Sequence, residues 1–259
     1  MVPARPTSPI TRPTIPTITA HPTASTALTA LFSGTATLVG GDLKITGGFT
    51  NDVTSFTSQV SINGNLSIKQ GQGDNTIVLT PSAGGSGIGG TFSTNGLDGV
   101  DVVVFGADAE IAGKTSILLG NGINTFVDTP TSQYGKDLTI SAGFNTSTCV
   151  VTGQVAGNLS VTMAPGGAGN TTVFTGSVGA GMKIKYLSGN DGTLEVLTLA
   201  PSAAAILNVD VKFGNGDATF NLGPNVSLTG KVSGRGGTYT FNQGTATLLP
   251  SLKLINFPT

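Results

Sequence analysis

Asp98, Asp101, Asp108 and Glu110 form the densest group of carboxylates in this sequence. Two carboxylates at a fixed separation can cleave a glycosidic bond, one protonating the leaving oxygen while the other activates water or attacks the sugar. A lyase working on an acidic polysaccharide would instead need clustered acids for calcium and a basic residue to abstract a proton. The other acids, Asp42, Asp52, Asp74, Asp128, Asp137, Asp191, Glu195, Asp210 and Asp217, are strung along the chain, and Arg235 stands in a glycine-rich turn. Acids so scattered are expected at solvated corners. His21 is the only histidine and lies among prolines, which argues against a Ser–His–Asp triad and against a histidine-bound metal. Cys149, the only cysteine, can close no intrachain disulfide, and its alternation with Val151 suits a small core residue better than a reactive thiol. Gly84-Gly85-Ser86-Gly87-Ile88-Gly89-Gly90 has the look of a phosphate loop, but no Lys-Ser/Thr ending and no helical pattern follow it. The expectation is a protein that is not an enzyme, with no catalytic residue, cofactor or metal.

A second set of residues has binding chemistry in its spacing. Ser67, Ser93, Ser116, Thr139 and Ser160 recur at near-constant intervals, each between two residues that alternate with it, and Thr91 precedes one such pair. The series runs on into Lys44 at one end and into Lys183, Asp210, Lys231 and Lys253 at the other. Stacked side by side they would make a flat strip of small hydroxyls with charged ends, able to face solvent, a glycan, ice or another copy of the chain. An ice-binding strip would want threonine in both columns, which only Thr91 and Thr139 supply.

What must position such a strip is a repeat. The pattern apolar-x-small-x-apolar-x-apolar, clearest in Val155-Ala156-Gly157-Asn158-Leu159-Ser160-Val161, begins at Val39, Ile62, Ile88, Ile111, Tyr134, Val155, Val178, Ala205, Val226 and Leu248, about every 23 residues. A fixed period of this length marks a solenoid. The last two apolar positions, such as Leu43/Ile45, Leu66/Ile68, Leu138/Ile140, Met182/Ile184 and Leu252/Leu254, flank one outward residue, which is strand alternation with one face buried. The small position, glycine in most repeats, marks a corner. A second strand follows a Gly/Asn/Asp turn, as in Gly71 to Leu79 and Gly120 to Phe126. Asn75, Asn124, Asn145 and Asn170, one per coil, are predicted to form an amide ladder. Predicted inward residues are Leu66, Ile68, Ile77, Leu79, Leu159, Val161 and Val173, with Phe92, Phe126, Phe220 and Phe241 filling the core.

The predicted fold is all-β: a single-stranded right-handed parallel β-helix, or β-solenoid, of about ten coils with three short strands each. Three segments are expected: 1–23, a Pro/Thr-rich extended arm; 24–38, an N-terminal cap or partial coil; and 39–259, the solenoid. Only 10% of the 259 residues are charged, 39 are glycine and none is tryptophan, which suits one long repetitive domain. A formal net charge of -1 gives no footprint for nucleic acid. No apolar run reaches the roughly 18 residues of a membrane-spanning helix, and Met1 is followed by prolines rather than by the charged and leucine-rich parts of a signal peptide.

The segments GDLKI, GNLSIKQGQGDNTIVL, GKDLTI, GNLSV and GNGDATFNL resemble the long β-solenoid repeats of bacterial surface and adhesin-like proteins, planctomycete ones in particular. That resemblance implies an extracellular or cell-surface location and carries no catalytic residues. The fold is also similar to that of pectate lyases and polygalacturonases, which implies the alternative of a polysaccharide-active enzyme. The Gly/Asp turns further resemble the calcium-binding nonapeptide repeats of secreted toxins, but they recur about every 23 residues instead of every nine, and whether they bind calcium stays open. The expected function is a non-catalytic structural or adhesive protein, with a glycan- or ice-binding module as a further alternative. Its expected partner is itself, end to end, through Leu28, Leu31 and Phe32 at one end and Leu252, Leu254 and Phe257 at the other, because open strand edges aggregate unless covered. Surface glycans are a second expected partner.

Overall fold

A computed structural model of the chain describes residues 17–19, 27–33, 37–57, 59–80, 86–96, 98–164, 169–189 and 194–257. Among these there is no helix, and so none long and apolar enough to cross a membrane. Every strand pairing is parallel, and three sheets of twelve, ten and seven strands wind around one core as a β-solenoid of about nine turns. Sheet 1 contains the repeated strand of the sequence pattern, for example Leu66–Lys69, Leu138–Ala142 and Leu159–Met163. Sheet 2 holds the second strand of each turn, such as Asn75–Leu79 and Ser147–Val151, and sheet 3 a short third strand, such as Ala109–Ile111. At about 4.8 Å per strand, nine turns make a rod on the order of 40 Å long.

The register explains the sequence. Leu43, Leu66, Phe92, Thr115, Leu138 and Leu159 form one inward column of sheet 1, and Ile45, Ile68, Thr94, Ile117, Ile140 and Val161 the next. Facing them, sheet 2 stacks Ile77, Val103, Phe126 and Cys149, all fully buried. Burial pushes the Cys149 thiol well above its usual pKa, so it is an inert core residue. Between sheets the chain turns where backbone meets backbone. At Gly122, φ is +130° and an added Cβ would lie 1.6 Å from the Gly99 carbonyl oxygen one turn below, so only glycine fits.

Two side-chain expectations are corrected. Leu159 and Val161 pair with Ile184 and Tyr186, so the inward pair of that turn is Ile184/Tyr186 and not Met182/Ile184. Two extra residues in the Gly179–Met182 turn cause the shift; Met182 sits half-buried in the corner. Val173 points outward, between the buried Thr172 and Phe174. From Ala205 on, sheet 3 ends and its place is taken by eight-residue strands, Ala205–Lys212 and Val226–Ser233, that run straight on into sheet 1.

At the N-terminal end Thr17–Thr19, within the segment expected to be an extended arm, pairs with Lys44–Thr46 as the first strand of sheet 1; residues 1–16 and 20–26 lie outside the described residues. Thr29–Phe32 begins sheet 2, and Phe32 stacks on Phe56 at 4.5 Å. The final turn closes on Phe257, which is 8% exposed and stacks on Tyr239 at 4.7 Å, with Phe213 at 5.4 Å. Phe257 is therefore packed into the core of the last turn. Leu28, Phe32, Leu252 and Leu254 are half-buried against the core, which leaves Leu31, 61% exposed, as the one mostly exposed residue of the six.

Candidate functional site

The corners are held by ladders of polar side chains reaching from one turn to the next. The innermost occupies the turn between sheets 1 and 2. Asp52 N–H donates to Asn75 Oδ1 (3.0 Å), Asn75 Nδ2 to Asp101 Oδ1 (2.8 Å), Asp101 N–H to Asn124 Oδ1 (2.9 Å), Ser147 N–H to Asn170 Oδ1 (2.8 Å) and Asn170 Nδ2 to Glu195 Oε1 (2.9 Å). Asn75, Asn124 and Asn170 are thus ladder residues as expected. Asn145 is not: it is exposed at φ +89°, and Ser147 takes the place in the ladder. A second ladder, between sheets 3 and 1, joins Asp42 to Asn65 to Thr91 and Asp137 to Asn158 to Lys183. The Gly/Asp/Asn turns thus have a structural use, each side chain satisfying the amide of its neighbour.

This arrangement also separates the four acids that could have formed a catalytic pair. Asp98 lies in the turn before the strand Asp101–Phe105 and Asp101 at its first position, while Asp108 and Glu110 lie beyond it, in the turn to sheet 3 and on sheet 3 itself. Asp101 is buried in the ladder and Asp98 accepts from Asn121 Nδ2 at 2.8 Å. Two further acids are buried beside tyrosines. Asp128 occupies the column of Phe105 and Val151 and accepts from the Tyr134 hydroxyl at 2.8 Å; Glu195 accepts from the Tyr186 hydroxyl at 3.0 Å. Desolvation raises Asp101 to about 6 and also raises Asp128, and both tyrosines are pushed well above their usual range by burial and by the adjacent carboxylate.

The outward faces differ sharply. On sheet 1, Ser67, Ser93, Ser116, Thr139 and Ser160 do form one column, and Thr91 lies in the polar ladder beside it. The column ends in Lys44 and, because of the corrected register, in Lys185, Asp210, Lys231 and Lys253; Lys183 belongs to the ladder column instead. All nine lysines of the chain lie on sheet 1 strands or in the corner leading into them. The acids that share this side are Asp42, Asp137 and Asp210.

Sheet 2 presents the opposite chemistry, and sequence reasoning missed it. Its first outward column runs Val53, Thr76, Val102, Thr125, Thr148, Thr171, Val196, Thr219, Thr240; its second runs Ser55, Val78, Val104, Val127, Val150, Val173, Thr198, Asn221, Asn242. None of these eighteen is charged. Leu31 opens the second column, paired with Ser55. Of the twelve exposed large apolar side chains among the described residues, seven (Leu31, Phe49, Val53, Val100, Ile123, Phe144 and Leu194) lie on this face or in the turn leading into it. The readable signal was a period-2 Thr-x-Val motif in the second strand of each repeat, as in Thr125-Phe126-Val127 and Thr148-Cys149-Val150. In comparisons with known proteins the chain matches no family model, no curated protein and no solved structure.

Proposed function

We propose that this chain is a non-catalytic structural or adhesive β-solenoid of the cell surface or extracellular matrix, and that copies associate laterally through sheet 2. The observation that carries this reading is the uncharged Thr/Val face, bordered by exposed apolar side chains. Ten strands at about 4.8 Å and five residues at about 3.3 Å give a face on the order of 700 to 800 Å². A stable protein interface buries about 800 Å² per partner, so the face has the size of one complete interface. Two copies related by a twofold axis would interdigitate β-branched side chains whose rotamers are already restricted, which keeps the entropy cost of association low. The resemblance of the coils to bacterial surface and adhesin-like repeats supports the location. End-to-end growth, through the edge strands Thr29–Phe32 and Tyr239–Asn242 of sheet 2, involves a much smaller area and would extend rods already paired.

Light scattering of the intact protein should give at least a dimer, and the double variant Val127→Lys, Val150→Lys should give a monomer with unchanged β-type circular dichroism. An intact protein that stays monomeric at high concentration would overturn the proposal.

A second reading draws on the same columns. Threonine hydroxyls and valine methyls fixed on a rigid lattice, without charge, are what an ice-binding face needs, and they occur on sheet 2 rather than on the sheet 1 strip. Thermal hysteresis that disappears in the same double variant is the expected result of that reading; no hysteresis in the intact protein removes it.

A further inference from the structure

Where sheet 1 turns toward sheet 2 in the last turns, four successive strand ends line a cleft of about 550 Å³. Its charged lining is cationic: Lys212, Lys231 and Arg235 open onto it. Its floor includes Met163 and Phe213, both 1% exposed, and Leu187. Within 4.0 Å, Lys212 has Asp210 as a partner, at 3.7 Å, and neither Lys231 nor Arg235 has a carboxylate among the described residues. We propose that this cleft binds a uronic-acid polysaccharide, with Arg235, Lys231 and Lys212 taking its carboxylates.

The charge of the site is local. Among the described residues, Lys183, Lys185, Lys212, Lys231, Arg235 and Lys253 share this end of sheet 1 and the turn after it with two acids, Asp210 and Asp217, in a chain whose formal net charge is -1. Positive charge sorted onto one low-dielectric wall raises the local concentration of anions well beyond what net charge indicates. Arg235 offers the planar fork that pairs with a carboxylate through two hydrogen bonds, and the lysines act as point charges around it. The ligand class follows from what surrounds the cations. A single-stranded nucleic acid needs exposed aromatic faces for its bases, whereas Phe213, the one aromatic residue lining the cleft, is buried. Sugar rings need hydroxyl and amide partners and an apolar patch. Thr162 and Ser188 line the cleft beside Leu187, and the hydroxyl column Ser160, Thr139, Ser116 continues from it along the rod. A polymer anchored at the cleft can therefore extend along sheet 1, which does not depend on sheet 2 and leaves lateral pairing possible.

The test is titration calorimetry of the intact protein with polygalacturonate at low and moderate salt, with dextran sulfate and single-stranded DNA as parallel arms. Polygalacturonate should bind, more weakly as salt rises, and Lys231→Gln with Arg235→Gln should lower affinity by roughly tenfold or more. Lys44→Gln with Lys69→Gln, at the far end of the same sheet, should leave affinity unchanged. Melting temperatures equal to that of the unsubstituted protein show that both variants are folded. No binding, an equal loss in the distal variant, or tighter binding of dextran sulfate or DNA than of polygalacturonate would overturn the assignment. The association state, read separately by light scattering, distinguishes its failure from failure of the lateral-pairing reading.

Discussion

Leu159→Asp is expected to abolish the fold as a cooperative unit. Leu159 is 1% exposed, in a column between Leu138 and Ile184, with no polar side chain of its own sheet beside it. Removing a buried leucine side chain costs about 2 to 5 kcal/mol. Burying an unpaired carboxylate costs several kcal/mol more, even after relaxation. Together these approach the roughly 5 to 15 kcal/mol that holds a domain folded. Each turn touches only its neighbours, so a failed turn in mid-rod uncouples the two halves. Urea and thermal melting should show loss of the native transition or a fall of at least about 10 °C in Tm, whereas Leu159→Met should cost less than about 1.5 kcal/mol. Unchanged melting of the aspartate variant would mean that Leu159 does not point inward.

The second large effect is on pH dependence. Asp101 keeps its proton in the folded chain up to about pH 6, against 3.8 for a free aspartate, because burial in the ladder disfavours its charge. Among the described residues its Oδ2 has no hydrogen-bond partner. Between those two pH values the folded state binds the extra proton, so stability falls as pH rises through this window and the loss is complete above about pH 6. A shift of about two units corresponds to on the order of 3 kcal/mol. Asp128, also raised, adds with the same sign, while Asp137, lowered by the Asn158 amide, opposes it from an exposed position where solvent screens the effect. The protein should melt at a higher temperature near pH 4.5 than near pH 7.5, the reverse of ordinary acid denaturation. In Asp101→Asn, Oδ1 can still accept from Asn75 and no charge is buried, so the difference in Tm between the two pH values should shrink markedly. A variant that retains the full difference would show that Asp101 is not its source.

The repeat, its parallel stacking and the sheet 1 columns were legible because Leu and Ile alternate there with polar residues, so periodicity alone distinguishes inside from outside. Sheet 2 was harder to read because valine stands outward and threonine or cysteine inward, as at Thr172, Val173 and Cys149, and alternation between two such faces carries no hydropathy signal. That is why Val173 was assigned to the wrong side and the Thr/Val face went unnoticed. Met182 was misassigned because Val178-Gly179-Ala180-Gly181-Met182 imitates the repeat pattern while containing a two-residue insertion. The cationic cleft was hidden by summing charge along the chain: a net of -1 does not show that every lysine falls in the same third of the repeat.

The near-constant offset between paired strands has a kinetic meaning. Ser67, Ser93, Ser116, Thr139 and Ser160 follow one another in register, so each new pairing closes a loop of one turn and none closes a longer one. The entropy of loop closure is then the same few kcal/mol at every step, however long the rod becomes. Forming the first two stacked turns is the unfavourable event, and each later turn adds onto an existing edge. Folding time is set by that nucleus and grows only weakly with the number of turns, and a chain emerging from its N-terminus can extend the rod turn by turn without waiting for its C-terminal end.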